Sequence, residues 1–536
     1  MSTSARSRRI VGITVPLFSL RTASCWGIGE IPDLARFGAF ARGVGARLVQ
    51  LLPLGEISGS ETSPYGALTA FGLDPMYIAW EGHPDLPADA LPAALGDDGL
   101  RTLAWLRAQD RVDYQGVRWL KEKALRAAWS NFAQREVAAG SARAQALHAF
   151  IAQNAAWLVP YATFRALKDA HGQRAWWEWD PALRDSLDAA KERARTMEGS
   201  TLNLHLYAQW VAHTQWDEAR AALKAMDVEV MGDLPFMVGS DSADVWSCRG
   251  EFRDDTLVGA PGDQFDPDGQ EWGLPPYRWD AMRRNGFQWL RARAGYAASR
   301  YDRFRIDHLV GFYRTYQRPK ENLRGPDGRL RPGFFDPGDE PAQKAHGEAV
   351  LSAMIAASRA HGADLIAEDL GVIPDFVRPS LAAMDVPGYK VLIWEQRDGV
   401  FRDPGGFPAR SVACFSTHDT APVSVWWNAL PAWERAAVCR LPGMSPALPE
   451  GFTPEVHTAL LDTILRAGSD LVLLLAQEVL GDDTRINTPS TVGPHNWTWR
   501  LPREVSALLD DPATAASVAR VREAIARAGR GVGDNP

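Results

Sequence analysis

The sequence predicts an α/β protein built on a (β/α)8 barrel with large, mainly helical insertions after barrel strands. Two observations lead to this fold: short runs of β-branched and aliphatic residues recur eight times, and amphipathic helical patterns follow most of them. Runs that are apolar throughout are typical of strands covered on both faces in a parallel sheet. The predicted strands are residues 10–15, 47–52, 228–234, 301–306, 363–368, 390–394, 411–415 and 470–476.

The predicted helices follow these strands at unequal distances. Examples are residues 32–42, 279–299, 374–384 and the Ala/Arg-rich stretch 511–528. An open doubly wound sheet would instead need a phosphate-binding glycine turn directly after a strand, and the nearest glycine pattern, at residues 27–32, has a proline where the third glycine belongs. The barrel is therefore the favoured interpretation.

Two long segments interrupt the alternation of strands and helices. Residues 80–224 contain only helical patterns (98–109, 116–138, 141–170 and 202–225), so we expect a helical insertion that caps the active face. Residues 254–276 are dense in Gly, Pro and Asp, as in a lid or rim loop. The predicted division is residues 10–79 for the first two strands, 80–224 for the insertion, 225–528 for the rest of the barrel and 529–536 for a tail.

Composition excludes several function classes. Of the 536 residues 46% are hydrophobic and 23% charged, and the formal charge of −8 provides no basic field for a nucleic acid. No run of about 18 apolar residues predicts a membrane span. The four cysteines are too widely spaced for a zinc ribbon or disulfide framework, which favours a reducing compartment, the cytoplasm. The 21 tryptophans, more than the phenylalanines or tyrosines, hint at sugar binding.

Charged residues stand at the ends of four predicted strands, where parallel strands deliver their side chains to one face. Arg305 and Asp307 are two residues apart and must point the same way. Glu368 and Asp369 must point to opposite faces, and periodicity does not say which of them enters the site. His418 with Asp419, and Asp233, follow two further strands.

Such an acidic cluster suits either metal-assisted hydrolysis or attack on a glycosidic bond by a pair of carboxyl groups. The sequence contains no HExxH or HxH spacing. The calcium-like stretch at residues 266–269 lacks acids where such a loop needs them, at Gln264 and Pro275. An all-oxygen magnesium site is the metal alternative that these patterns leave open, and the prediction is a site without metal or cofactor.

A set of motifs then resembles one family, the amylomaltases, which are disproportionating 4-alpha-glucanotransferases of the alpha-amylase clan. The motifs are LLPLG at 51–55, SPYG at 63–66, AF at 70–71, GDLP at 232–235, DSADVW at 241–246, GAPG at 259–262, GQEWG at 269–273, RIDH at 305–308, AEDLG at 367–371, THD at 417–419 and NWTWR at 496–500. The resemblance runs from about residue 12 to 502. It implies a barrel without a carboxyl-terminal β-sandwich domain.

The matching motifs also imply roles for individual residues of this chain. Asp307 would be the nucleophile, Glu368 the acid/base and Asp419 the transition-state stabiliser, with the charges of Asp307 and Asp419 keeping Glu368 protonated. The residues implied to bind substrate are Tyr65, Asp233, Arg305, His418, Gln270 and Trp272.

The substrates that the resemblance implies are maltooligosaccharides and other α-glucans derived from starch or glycogen. Gln264, Leu274 and Glu478 depart from the family's usual residues. These departures affect the acceptor subsites and chain-length preference more than the chemistry. Two alternatives are an α-1,4-glucan hydrolase with the same three acids and a non-catalytic glucan-binding barrel.

Overall fold

The computed structural model describes residues 9–262, 267–489 and 491–530. Within these ranges, eight parallel strands close into a barrel, which confirms the predicted fold class. Strands β1 and β8 complete the closure by pairing Ile10 with Leu471. The barrel strands are β1 Ile10–Thr14, β2 Leu48–Gln50, β3 Glu229–Leu234, β4 Arg303–Ile306, β5 Asp364–Ala367, β6 Gly388–Val391, β7 Ser411–Cys414 and β8 Leu471–Leu475.

Each predicted run overlaps a barrel strand, and the sixth is displaced. It was expected at residues 390–394, whereas β6 spans Gly388–Val391 and Leu392–Trp394 form a short 3-10 turn. Leu392 and Ile393 are buried in that turn. The apolar run therefore continues past the end of the strand, and hydrophobicity alone cannot locate that end.

Alternate residues of the barrel strands form an apolar cluster in the barrel interior. It includes Ile10, Leu48, Met231, Ile366 and Val412. Strand β4 contributes no residue to this cluster, because Phe304 and Ile306 pack outside and the inward positions are arginines. Above the apolar cluster, Thr14 donates to Gln50 over 2.6 Å and Gln50 donates to Tyr389 over 3.1 Å. The interior thus becomes polar towards the carboxyl ends of the strands.

Helices cover the outside of the barrel. The predicted helix at 279–299 is wrong as a single element, because Gly286 and Phe287 adopt left-handed backbone conformations and divide it. The helices outside the insertion are Asp33–Val44, Ala243–Ser247, Trp279–Arg284, Gln288–Arg300, Glu340–Arg359, Val377–Ala383, Val423–Ala429, Ala432–Val438, Pro454–Leu465, Ala476–Leu480 and Ala515–Arg527.

The chain between β2 and β3 is mainly helical, as expected. Its helices are Leu91–Ala108, Tyr114–Phe132, Ala142–Ala170, Pro181–Asp185, Leu187–Thr196 and Leu202–Ala225. The sequence did not predict Pro181–Asp185 or Leu187–Thr196, which bury little or nothing and so lack a strong apolar stripe. Lys121, in the helix Tyr114–Phe132, forms a buried ion pair with Glu30, which attaches that helix to the segment just before the first barrel helix. The division of the chain at residues 79 and 224 stays a prediction.

A small antiparallel sheet lies beside the barrel. Its strands, in spatial order, are Gln270–Glu271, Thr256–Ala260, Thr315–Pro319 and Phe334–Asp336. The expectation of an irregular loop at 254–276 is therefore wrong for two stretches of it. Thr256–Ala260 pairs with Gln270–Glu271 on one side and on the other with Thr315–Pro319, which follows β4, and no local pattern could reveal this second pairing. Across the described residues, no helix is both long and apolar enough to span a membrane.

Candidate active site

Arg305 is the centre of the site. Its position on β4 points into the barrel, where it is 6% exposed. One guanidinium nitrogen donates to Asp307 Oδ1 over 2.7 Å, and the other donates to Asp233 Oδ2 over 2.6 Å. Burial would lower the pKa of Arg305, but the two carboxylates outweigh it and raise the pKa well above its ordinary value. The predicted common orientation of Arg305 and Asp307 is confirmed.

Tyr65 links Arg305 to the far side of the site. Its hydroxyl donates to Asp233 Oδ2 over 2.7 Å and lies 2.9 Å from His418 Nε2, and the rings of Tyr65 and His418 stack 5.8 Å apart. The Asp233 side chain has no exposed surface; its Oδ2 contacts Arg305 and Tyr65, and its Oδ1 has no hydrogen-bond partner among the described residues. Burial raises the pKa of the Asp233 carboxyl. The geometry makes Asp233 a support for its two neighbours.

Asp419 lies at the other end of this network. Its Oδ2 is 3.3 Å from His418 Nε2, and its Oδ1 accepts from the Asn487 amide over 2.7 Å. Burial alone would raise the pKa of Asp419, but the charge and hydrogen bond of His418, with the Asn487 hydrogen bond, lower it below the ordinary value. The side chain is 39% exposed. Asp419 is therefore an ionised carboxylate with one side open to the cleft.

Of the two acids at the end of β5, Glu368 enters the site. It continues the inward series of Ile366, and its Oε2 accepts from the His308 backbone N–H over 2.8 Å. Asp369 is buried outside the site, where it accepts from the Tyr389 backbone N–H and from Arg378. The sequence left this choice open because both faces of β5 are apolar.

Glu368 has the chemistry of a general acid. Burial, and after it the charge of Asp307, raises the pKa of Glu368 to about 8. Arg305 acts in the opposite direction. The expectation named the charges of Asp307 and Asp419, whereas the largest cause is the loss of hydration. At neutral pH, Glu368 therefore holds a proton while Asp419 does not.

The two residues expected from the loop lie on the rim. Trp272 donates from its indole nitrogen to Gln270 Oε1 over 2.9 Å. The Trp272 ring meets the ring of His308, the residue after Asp307, edge-on at 5.0 Å. Gln270 is exposed, and Leu274 is partly buried against the outer apolar cluster. Gln264 lies outside the described residues.

The structure adds residues that sequence reasoning missed. Asn487 contacts Asp419 directly, and Arg485 donates to the Asp419 backbone carbonyl over 2.7 Å. Trp497 lies 5.8 Å from the Tyr65 ring and 6.0 Å from the His418 ring. Trp497 belongs to the motif at 496–500, which was a signal, but Asn487 follows no strand end and gave none.

Taken together, the network joins the acids from the ends of β3, β4 and β7, and the charges of Arg305 and Asp307 act on the neighbouring Glu368 carboxyl. Among the described residues, no three His, Cys, Asp or Glu side chains are grouped so as to hold a metal ion. Ionised carboxylates beside one protonated acid can displace a glycosidic leaving group.

Comparisons with known proteins agree with this chemistry. A family model described as 4-alpha-glucanotransferase matches residues 15–506. The chain is 31% identical over 505 residues to the 4-alpha-glucanotransferase of Thermus thermophilus, covering 90% of this chain and 93% of that one. It is 29% identical to the 4-alpha-glucanotransferase of Chlamydia caviae, covering 95% and 94%. The amylomaltase from Streptococcus agalactiae, solved in complex with acarbose, superposes with a TM-score of 0.80 at 25% identity, covering 98% and 100%.

Proposed function

The chain belongs to the 4-alpha-glucanotransferase family, and on that premise we propose that Asp307 is the nucleophile, Glu368 the acid/base and Asp419 the transition-state stabiliser of its reaction. The enzyme is of the amylomaltase type and transfers segments of α-1,4-glucan by a retaining double displacement. The observation that carries the assignment is the continuous network from Asp307 through Arg305, Tyr65 and His418 to Asp419.

The first displacement forms a covalent glucosyl-enzyme. Asp307 attacks the anomeric carbon, and the Arg305 hydrogen bond holds the attacking carboxylate in one orientation. Glu368 gives its proton to the departing glycosidic oxygen, which leaves as a hydroxyl group. Positive charge that develops on the sugar ring faces the ionised Asp419.

The second displacement reverses these roles. Glu368, now a carboxylate, removes the proton from the 4-hydroxyl of an acceptor glucan as that oxygen attacks the same carbon. The bond to Asp307 breaks, and two inversions restore the α configuration. Water in place of the acceptor would give hydrolysis, so the choice between the two depends on acceptor binding and on the exclusion of water.

The remaining predicted residues receive positioning and binding roles. We assign Tyr65 and His418 to hydrogen bonds with the donor sugar, because both lie between Arg305 and Asp419. Trp272 and Gln270, on the rim beside His308, are assigned to the flanking sugar units. Asp233 orients Arg305 and Tyr65 through Oδ2, and we assign its Oδ1, which no group in the described part of the chain contacts by a hydrogen bond, to a hydrogen bond with the sugar being transferred.

The enzyme acts on α-glucans. Within that class, we propose maltooligosaccharides and the chains released from starch or glycogen as donors and acceptors. Cytoplasmic action is supported by four cysteines that all carry free thiols, as a reducing compartment would keep them. The net charge of −8 argues against nucleic acid as a partner, because a negatively charged protein repels a polyanion.

The direct test is incubation with maltotriose. Transfer yields a ladder of longer maltooligosaccharides with released glucose and a constant number of reducing ends. A rise in reducing ends would indicate the hydrolase, and an unchanged maltotriose pool would indicate a binding protein.

The nucleophile is tested by Asp307→Ala. This variant should lose turnover while its unfolding transition stays close to that of the wild type, because the Asp307 side chain is 28% exposed. The matched control is Asp302→Ala, which removes a carboxylate at the opposite end of the same strand. Asp302 accepts from the Val230 backbone N–H, so its loss should lower stability but leave transfer intact. Retained turnover in Asp307→Ala would show that the nucleophile is wrong.

A further inference from the structure

A turn after β8, at residues 485–488, forms hydrogen bonds with the segment that carries Asp419. Arg485 donates to the Asp419 backbone carbonyl over 2.7 Å. The Asn487 backbone N–H donates to the His418 carbonyl over 3.2 Å. The Asn487 side-chain amide donates to Asp419 Oδ1 over 2.7 Å. The turn therefore holds both the backbone and the carboxylate of Asp419.

The turn is itself anchored by hydrogen bonds with two further buried residues. Asn496, which is 4% exposed, accepts from the Thr488 backbone N–H over 2.9 Å and donates to the Thr491 carbonyl over 2.9 Å. The Trp497 backbone N–H donates to the Ile486 carbonyl over 2.8 Å. These contacts fix the path of the backbone without the Asn487 side chain, so its amide is available to act on Asp419 alone.

The amide fixes the Asp419 carboxylate in two respects. One oxygen is bound to Asn487 and the other lies 3.3 Å from His418, so the carboxylate plane has one orientation. A side-chain amide nitrogen can only donate hydrogen bonds, so this contact favours the ionised form of the Asp419 carboxylate. The exposed part of Asp419 then faces the cleft with its charge in place before any sugar binds.

We propose that Asn487 is a positioning residue for glucan transfer, acting through its hydrogen bond to Asp419. This inference rests on the proposed role of Asp419 as transition-state stabiliser. Because Asn487 is itself 8% exposed, it acts on the sugar through Asp419. The contribution is to the transition state, where the charge on the ring is greatest, rather than to the bound substrate.

The test uses α-maltosyl fluoride as donor and maltose as acceptor, with the variants Asn487→Asp and Asn487→Ala. The first keeps the shape of the side chain but removes the donor and adds a negative charge beside Asp419, whereas the second removes the donor without adding charge, so a loss common to both reports the missing hydrogen bond. Both should lower kcat by about 10- to 100-fold while KM stays within about twofold. Asn131→Asp is the matched control, since the Asn131 amide donates to the Asp85 carbonyl far from the cleft, and its kcat should equal that of the wild type.

A double-mutant cycle distinguishes positioning from a general structural effect. In the Asp419→Asn background, Asn487→Ala should reduce kcat by less than about twofold, because the partner through which it acts has already changed. A full additional loss in that background would overturn the inference, as would a wild-type kcat in Asn487→Asp. Wild-type transfer by Asp419→Asn alone would instead refute the proposed role of Asp419, so the two failures are distinguishable.

Discussion

The protonation of Glu368 should set the alkaline limit of the enzyme. Burial, together with the charge of Asp307, raises its pKa to about 8. The first displacement needs the protonated form, whose fraction is about 0.9 at about pH 7 and about 0.1 at about pH 9 for that pKa. The value of kcat/KM for maltotriose should therefore fall about tenfold between these two conditions.

The assay is a pH profile of initial rates with maltotriose, followed by release of glucose. Glu368→Gln provides the matched variant, because glutamine keeps the size of the side chain but cannot donate the proton. With α-maltosyl fluoride, whose leaving group needs no acid, the variant should still release a burst of fluoride, and that burst should show no limb near pH 8.

Two results would refute this reasoning. One is a wild-type kcat/KM for maltotriose that stays constant through about pH 9. The other is an alkaline limb at the same pH in the fluoride burst of Glu368→Gln, because the titrating group would then be a different residue. The near-ultraviolet circular dichroism, recorded at each pH, shows whether the loss of activity at alkaline pH comes from unfolding of the protein.

Three further predictions concern stability and the network. The pKa of the Glu368 carboxyl is raised from 4.5 to about 8 on folding, so the folded state loses stability as the pH rises through that window. Glu368→Gln should therefore be more stable than the wild type at about pH 9, by a few kcal/mol in urea unfolding. Equal unfolding midpoints would contradict this. Tyr65→Phe removes the hydroxyl shared by Asp233 and His418 and should lower kcat/KM by about 10- to 100-fold. It should also cost about 1–3 kcal/mol in unfolding free energy, because the buried Asp233 loses a hydrogen-bond donor. Full activity would exclude the assigned role. Lys121→Met leaves the Glu30 carboxyl buried without its cation and should lower the unfolding free energy by about 3 kcal/mol. Adding Glu30→Gln to this variant should recover part of that loss. Equal stability of the single and double variants would refute the pairing argument.

Local patterns predicted a large part of this molecule. Apolar runs marked the barrel strands because each of those segments is buried on both faces, and the spacing of Arg305 and Asp307 fixed their common direction. The motif resemblance pointed to the family that the comparisons established. The helices Pro181–Asp185 and Leu187–Thr196 escaped prediction because little of their surface is buried.

Other features depended on contacts between distant parts of the chain. The strand Thr256–Ala260 looked irregular until it was paired with Thr315–Pro319. Asn487 contacts Asp419 across 68 positions of sequence, a relation that no window of residues contains. Trp497 reaches Tyr65 and His418 only because the end of the chain returns to the rim of the barrel.

The sequence by itself located the barrel strands to within a few residues, because segments buried on both faces are apolar throughout, and with them the acids that follow their carboxyl ends. Only the tertiary structure decided that Glu368 rather than Asp369 enters the site, because both faces of β5 are apolar and the inward one is defined by closure of the barrel. It also decided which acid keeps its proton. A pKa follows from lost hydration and neighbouring charge, and these exist only once the walls of the site have come together.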